Sequence, residues 1–104
     1  MKRGEVWWAD LPNPIGRRPV LLLSRDSMPA RRNEITVAYL TTTIRNVPVE
    51  VLLTSSDGVA QDCVVNLDSI NTIPKRTLRG RICTLSATKM DEVKAAIVVA
   101  LDLR

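Results

Sequence analysis

Histidine is missing from all 104 residues of this chain, and glycine is scarce. Without an imidazole, the protein cannot use histidine as a general acid or base, as a metal ligand, or as the partner of a serine or cysteine nucleophile. The four glycines, at positions 4, 16, 58 and 80, are all isolated, so no glycine-rich loop is available to cradle the phosphates of a nucleotide. These absences exclude most hydrolases and argue against a nucleotide-driven enzyme.

Long apolar runs are also absent, and cysteine occurs only twice. The apolar stretches are too short to span a membrane, and the positive charges at residues 2–3 are not followed by an apolar signal segment. Cys63 and Cys83 lie in apolar, strand-like segments without the close spacing of a metal or redox motif. We therefore expect buried thiols, no metal or cofactor, no membrane association and a cytoplasmic protein.

Basic residues are abundant and unevenly distributed. The formal net charge is +4, from 15 lysines and arginines against 11 acidic residues. Residues 17–45 hold six arginines and two acids, so this segment carries the whole excess. A second basic cluster has no acid within it: Lys75, Arg76, Arg79 and Arg81. The pattern is compatible with a polyanionic partner, most simply a nucleic acid, or with an ordinary solvated surface.

Two of these arginines come just before an apolar segment. Arg17 and Arg18 precede Pro19 and the apolar residues 20–23, which must be buried although the guanidinium groups cannot be. Proline disfavours helix at the residue before it and fixes its own φ, so we expect Arg18 to be extended where a strand begins. A cation held in this way at a rim can meet a phosphate.

The order of short strand patterns and turn residues indicates the fold class. Residues 86–101 predict a C-terminal helix, with Ser86 as N-cap and an inward face of Met90, Val93, Ile97, Ala100 and Leu101. Strands are predicted at residues 5–10, 19–24, 35–41, 47–53, 63–67, 70–73 (after a kink) and 81–85. We therefore expect one mainly β domain with α, residues 1–104: a small curled antiparallel sheet or SH3-like barrel with a C-terminal helix.

Several segments, in this order and spacing, resemble the MazF/PemK (Kid) toxins of bacterial toxin–antitoxin systems. The likeness covers residues 2–11, 18–24, 36–41 and 62–73 and the closing helix. It implies a CcdB/MazF-like fold, a homodimer, and a sequence-specific, metal-independent endoribonuclease that leaves 2′,3′-cyclic phosphate and 5′-hydroxyl ends on single-stranded RNA. It also implies a cognate MazE-like antitoxin, whose extended C-terminal segment would lie across the basic groove.

The resemblance implies three catalytic residues. Arg18 matches the family's catalytic arginine, and a permanently charged guanidinium suits a charge-assisted fork on the transition-state phosphate better than proton transfer. Thr41 matches a threonine whose hydroxyl would bond a phosphate oxygen, the alternative being a hydroxyl that satisfies backbone. Asp68 falls where PemK-type members have an acidic residue credited as general base, and it would accept the 2′-hydroxyl proton, orient Arg18, or form a structural ion pair.

This chain departs from the PemK-type pattern in two places. Asn66, which alternation along a regular strand places on the same face as Asp68, replaces an arginine. The first loop passes from Gly16 directly to Arg17 without the usual polar insert. With histidine also missing, we expect a mechanism closer to the MazF type, centred on Arg18 and Thr41. The further candidates for RNA contact are Arg17, Arg25, Arg45, Arg76 and Arg79 on the backbone, and Trp7 as a stacking platform. Trp7 and Trp8 face opposite ways, so at most one of them is exposed, and alternation alone does not decide which.

Two other functions fit part of this pattern. CcdB-type toxins share the architecture but poison DNA gyrase without cutting nucleic acid, and a non-catalytic RNA-binding barrel would explain the charge equally well. A gyrase poison has no need of a phosphate site. The position of Arg18 and Pro19 at the start of a strand, facing Thr41, therefore favours the nuclease.

Overall fold

The fold of residues 1–103 is described by a computed structural model. Six strands form one antiparallel sheet, two short 3₁₀ turns lie at Ser55–Asp57 and Lys75–Thr77, and one helix follows the sheet. The elements are β1 Glu5–Asp10, β2 Arg17–Leu22, β3 Glu34–Thr41, β4 Glu50–Leu53, β5 Cys63–Pro74, β6 Leu78–Thr84 and α1 Ala87–Ala100. The strand order across the sheet is β4-β5-β3-β2-β1-β6. The expected curled antiparallel sheet with a C-terminal helix is confirmed.

The first hairpin brings both arginines into the sheet. β2 begins at Arg17, two residues earlier than predicted, because Arg17 pairs with Asp10 and Arg18 with Ala9 across the ladder. β4 is shorter than predicted, since the backbone N–H of Glu50 bonds to the carbonyl of Val47 and residues 47–50 form a turn. β6 begins early, at Leu78, because pairing with β1 reaches that far.

The two strands predicted at 63–67 and 70–73 form one long strand with a bulge. Tyr39 of β3 pairs with Asn66, whereas the preceding Ala38 pairs with Ile70. Residues 67–69 are therefore extra, and they leave the regular ladder between these two pairs. This bulge is the kink that the sequence predicted, and it resets which side chains of β5 share a face.

Apolar clusters cover both faces of the sheet. The larger cluster lies under the helix and includes Val6, Leu21, Leu40, Leu53, Val65, Leu67, Val93 and Ala96. The other lies on the opposite face and includes Ala9, Val20, Leu22, Ile35, Val37 and Ile73. Alternation along each strand divides its residues between the two clusters, so neighbouring residues such as Val20 and Leu21 belong to different ones.

The helix begins as expected, with the Ser86 hydroxyl accepting the backbone N–H of Lys89 at 3.1 Å. Val93 and Ala96 are buried on its inner face. The prediction for Leu101 is wrong: it is 55% exposed. The helix ends at Ala100, and Leu101 is its C-cap with non-helical backbone angles, so the side chain leaves the inward stripe.

The turn after β4 closes against β6 at the other edge of the sheet. Gly58 has a φ of +105°, and a Cβ atom built on it would lie 2.6 Å from the Cβ of Cys83. Cys63 is buried, as expected, and Cys83 is partly buried. Burial, with a further contribution from the nearby Asp57 charge, raises the pKa of both thiols. Both cysteines therefore behave as packing residues.

Candidate active site

A cleft of about 170 Å³ opens over the neighbouring strands β5, β3 and β2 and the loop that follows β3. Its lining is polar and carries two positive charges: Arg18, Tyr39, Thr41, Thr43, Arg45, Asn66 and Ser69. Val20 pairs with Tyr39, so the same register continued by two residues places Arg18 opposite Thr41. The two residues predicted as the catalytic centre therefore meet in one cleft.

Arg18 is partly buried. Its Cζ atom lies 5.7 Å from the centre of the Tyr39 ring, a cation–π contact that uses the face of the guanidinium and not its N–H groups. The ion pairs found in residues 1–103 involve Arg79, Arg81, Lys89 and the amino terminus, and none involves Arg18. The guanidinium is held in place by an aromatic face, and its donors are available to an anion.

Thr41 ends β3, and its hydroxyl accepts a hydrogen bond from the chain that follows the strand. Its Oγ1 accepts the backbone N–H of Thr43 at 3.2 Å, which turns the chain out of the strand. A threonine hydroxyl that accepts one hydrogen bond still has its own proton to donate. The two readings of Thr41, backbone partner and phosphate donor, are therefore compatible, and the O–H group lies in the same cleft as Arg18.

Asn66 organises the bulge beside the cleft. Its side-chain carbonyl accepts the backbone N–H of Asp68 at 3.0 Å, and its amide donates to the Ser69 hydroxyl at 3.3 Å. With these two hydrogen bonds in place, Ser69 lines the cleft, whereas Asp68 is exposed and does not line it. Asp68 was predicted beside Asn66 on one face of a regular strand, and the bulge separates the two.

The structure reverses the choice between the tryptophans. Trp7 packs against the cluster on the face opposite the helix, and its indole N–H donates to the Glu5 carboxylate at 3.0 Å. Trp8 is 36% exposed, and the Cζ of Arg17 lies 4.8 Å from the centre of its ring. The prediction of Trp7 as the stacking platform is therefore wrong, and Trp8 with Arg17 forms the exposed aromatic–cation pair.

Glu5 is a buried carboxylate in β1 that also contacts β6. Burial alone would raise its pKa, but hydrogen bonds from the Lys2 backbone, the Trp7 indole and Arg81, with the N-terminal charge, hold the pKa below its ordinary value of 4.5. The Arg81 guanidinium lies 3.3 Å from Oε2. Glu5 is thus an ionised structural anchor between β1 and β6.

The remaining predicted RNA-contacting arginines are distributed unevenly. Arg45 lines the cleft itself. Arg25 lies at a different hollow of about 320 Å³, which it shares with Lys75. Arg79 is paired with Asp10 at 2.9 Å, and Arg76 is exposed on the short turn before β6. Only Arg45 and Arg17 are brought close to Arg18.

Sequence reasoning missed three cleft residues: Tyr39, Thr43 and Ser69. Alternation along β3 places Tyr39 on the same face as Thr41, so the pattern contained a signal for it. Thr43 stands in the threonine cluster that follows the strand, but its direction depends on the turn at Thr41. Ser69 enters the cleft only because of the bulge, which local sequence does not specify.

An apolar groove of about 520 Å³ lies near the cleft, and its lining includes Trp8, Pro19, Leu40, Val59 and Ile82. A smaller hollow of about 190 Å³ connects the two regions, because it is lined both by Arg17, Arg18 and Thr41 and by the groove residues Pro19, Leu40 and Cys63. A basic, hydroxyl-rich cleft therefore continues into an apolar surface. This combination suits a chain with a charged backbone and apolar side groups.

Residues 1–103 contain no grouping of three or more His, Cys, Asp or Glu side chains arranged to hold a metal ion. None of the helices in this range has both the length and the apolar character needed to cross a membrane.

Solved structures share this architecture over their full length. An endoribonuclease from a mycobacterial species, solved in complex with its cognate antitoxin, superimposes with a TM-score of 0.89 at 29% identity, covering 100% of this chain and 97% of that one. The Mycobacterium tuberculosis toxin MazF-mt6 gives a TM-score of 0.88 at 34% identity, covering 96% and 98%. The CcdB/MazF-like fold implied by the sequence is confirmed.

Sequence relatives give the same result. A probable endoribonuclease, MazF5 of Mycobacterium tuberculosis, is 42% identical over 101 residues, which cover 96% of this chain and 92% of the relative. MazF2 of the same organism, also a probable endoribonuclease, is 43% identical over 93 residues, covering 88% and 89%. The family model for the PemK-like, MazF-like toxins of type II toxin–antitoxin systems matches residues 2–101. The chain with the Arg18–Thr41 cleft thus belongs to the PemK-like, MazF-like toxin family.

Proposed function

We propose that this protein is a sequence-specific endoribonuclease toxin that cleaves single-stranded RNA without a metal ion. The observation that carries the proposal is the Arg18–Thr41 cleft, in which an unpaired guanidinium and a free hydroxyl proton face one small polar space. RNA brings its own nucleophile, the 2′-hydroxyl. The protein then has to orient the backbone and stabilise charge on the phosphorane, which a guanidinium and hydroxyl donors can do.

In the proposed reaction, the 2′-oxygen bonds to the adjacent phosphorus and the bond from phosphorus to the 5′-oxygen breaks. The 2′-hydroxyl gives up a proton, and the departing 5′-oxygen takes one, so the products are a 2′,3′-cyclic phosphate and a 5′-hydroxyl. The Arg18 fork and the Thr41 hydroxyl donate hydrogen bonds to the non-bridging oxygens, where negative charge increases in the transition state. Arg18 acts as a charge clamp, since a guanidinium carries its positive charge permanently and offers its N–H groups as a planar fork of donors.

Asp68 lies outside the cleft lining and is exposed. A carboxylate there would accept the 2′-hydroxyl proton only through an intervening water or after the bulge rearranges. Asp68→Asn tests this secondary role: a rate loss confined to kcat would support proton transfer, whereas an unchanged kcat would exclude it.

The proposed partners are single-stranded RNA, a second copy of the chain and a MazE-like antitoxin, in the cytoplasm where RNA is available. The apolar groove supports the antitoxin, because an extended C-terminal segment could place apolar side chains against Trp8 and Val59. Pro19 and Leu40 belong both to this groove and to the hollow beside Arg18. A segment lying there would block RNA and so neutralise the toxin.

The test is cleavage of end-labelled single-stranded RNA in excess EDTA, with analysis of the fragment ends. We expect discrete fragments with cyclic-phosphate and 5′-hydroxyl ends. Arg18→Ala should lower kcat by about 100-fold or more, the loss typical of a transition-state donor, and Arg18→Lys should not restore it, because an ammonium lacks the planar fork.

Arg31→Ala is a charge-matched control, since Arg31 is exposed in the loop before β3. It should cut at the wild-type rate. Intact RNA after incubation with well-folded wild-type protein would refute the proposal. So would an Arg18→Ala variant that cuts as fast as the Arg31→Ala control.

A further inference from the structure

Glu50, the first residue of β4, carries a carboxylate oxygen with no partner. Its Oε1 accepts the backbone N–H of Arg45 at 2.9 Å. Its Oε2 is buried, and no donor in residues 1–103 reaches it. A buried carboxylate oxygen without a hydrogen bond is destabilising, because it has lost water and gained nothing in return. A donor from outside the folded chain, a water or a ligand group, would satisfy this oxygen.

The sheet register places Glu50 beside the cleft. Glu50 pairs with Asn66, and Asn66 pairs with Tyr39, so the three side chains form one row on one face. Asn66 and Tyr39 line the cleft, as does Arg45, whose backbone Glu50 holds. The carboxylate is therefore next to three cleft residues, on the side of the cleft away from β2.

The distance from the phosphate site indicates which part of a substrate Glu50 meets. Neighbouring strands are about 4.8 Å apart, so β4 lies about 10 Å from β3, which carries Thr41, and about 14 Å from β2, which carries Arg18. A phosphate clamped between Arg18 and Thr41 is out of hydrogen-bond reach of Glu50. A base attached next to that phosphate can extend across β5 to it.

We propose that Glu50 is a specificity-determining residue, which accepts a hydrogen bond from the amino group of a base next to the cleaved phosphate. The inference rests on the proposed endoribonuclease function and adds a base-reading role at the same site. Cytosine, adenine and guanine carry an exocyclic amino group, whereas uracil offers only carbonyl oxygens and one ring N–H. A carboxylate that accepts from amino groups thus selects against uracil at this position.

Glu50→Gln is the matching variant, because glutamine has the same shape and keeps an oxygen for the Arg45 N–H. Its amide group would put a donor in the place of Oε2, which is an acceptor without a partner in residues 1–103. We expect wild-type protein, on a randomised single-stranded RNA library, to prefer an amino-bearing base at one position flanking the cut. Glu50→Gln should lose about 10-fold of that preference, at that position alone.

Glu34→Gln is the control for the lost charge, since Glu34 is exposed at the opposite end of β3 from Thr41. Its cleavage profile should match wild type. A second measurement uses wild-type protein and a substrate whose preferred base is replaced by an analogue without the amino group. Cleavage should slow by about 10-fold in wild type and stay unchanged in Glu50→Gln, as a double-mutant cycle requires for a direct contact.

Three results would overturn the inference. The first is a Glu50→Gln profile identical to wild type with an equal rate loss at all sites, which is the signature of a merely structural residue. The second is a wild-type profile without an amino-base preference. The third is an amino-free substrate that wild type cuts at full rate, which decides the matter even if Glu50→Gln fails to fold. Failure of wild type to cut RNA at all would instead refute the proposed function, and the EDTA assay separates the two cases.

Discussion

Gly58→Ala should unfold the protein well below the temperature at which wild type unfolds. The glycine sits where the turn after β4 meets β6, and it has a φ of +105°. An added Cβ would lie 2.6 Å from the Cβ of Cys83, 3.5 Å from its Sγ and 4.0 Å from its Cα. The closest atom is fixed to the backbone of β6, so it cannot move aside as the end of a long side chain could.

Two costs combine in this variant. Placing an alanine at a positive φ costs about 1–2 kcal/mol. Forcing an extra carbon into a packed contact typically costs about 1–3 kcal/mol, because the strand or the turn must shift. We therefore expect a loss of about 2–5 kcal/mol in the free energy of unfolding, which lowers Tm by about 10–25 °C in a domain of this size.

Gly80→Ala is the matched control. Gly80 lies in β6, its φ is not in the left-handed region, and a Cβ built on it meets nothing within 4 Å. Alanine in a strand loses less backbone entropy than glycine, so this variant should be neutral or more stable by up to about 1 kcal/mol. Thermal and urea unfolding, at one protein concentration to hold any dimerisation constant, compare the three proteins.

A Gly58→Ala protein within about 0.5 kcal/mol of wild type would refute the reasoning, because neither the backbone angle nor the closure against Cys83 would then hold in solution. Equal destabilisation by Gly58→Ala and Gly80→Ala would also refute it. That outcome would mean that any added methyl group is harmful, and the closure at Gly58 would not be special.

Arg17→Ala should raise KM for RNA several-fold and leave kcat unchanged in steady-state cleavage, because Arg17 stacks on the exposed Trp8 ring and would contact only the RNA backbone. The slope of log affinity for RNA against log salt concentration should become shallower by about 0.7. A lower kcat would contradict a backbone-contact role. Glu5→Gln should cost about 1–2 kcal/mol at pH 7 in urea unfolding, because the charged form receives the hydrogen bonds. Since the folded pKa of Glu5 is below 4.5, that stabilisation is present above pH 4.5 and lost as the pH falls through the folded pKa, so the two proteins should converge in acid; a gap that widened there would contradict the assignment. Ser86→Ala should cost about 1 kcal/mol in thermal unfolding by removing the cap on Lys89, and Ser86→Thr should retain most of it.

Much of the site could be predicted because its signals are local. Proline after Arg18 keeps that residue extended, and β2 includes it. Alternation in β3 sets Thr41 two residues from Tyr39 on one face, and both line the cleft. Ser86 before an amphipathic run predicted the start of the helix. In each case a residue's own neighbours in the chain constrain its backbone.

Other features depend on contacts between distant segments. Asp68 and Asn66 were predicted on one face of a regular strand, but pairing with β3 creates a bulge that exposes Asp68 and brings Ser69 into the cleft. The choice of Trp7 as the exposed ring was wrong for a similar reason, since alternation shows that the two tryptophans differ but not which face is covered. Glu5 and the second apolar cluster cover Trp7.

The sequence by itself determined which segments are strands, where the C-terminal helix begins, the absence of imidazole chemistry and the extended backbone of Arg18 at the start of β2. These features follow from side-chain chemistry and from local steric limits on φ and ψ. Only the tertiary structure decided that, within residues 1–103, Arg18 has no ion-pair partner and Glu50 has a buried oxygen without a hydrogen bond, and that Gly58 leaves no room for a Cβ beside Cys83. Those properties depend on which strands pair and in what register. Register is set by the packing of the whole sheet, and a shift of one residue would move every side chain of a strand to its other face.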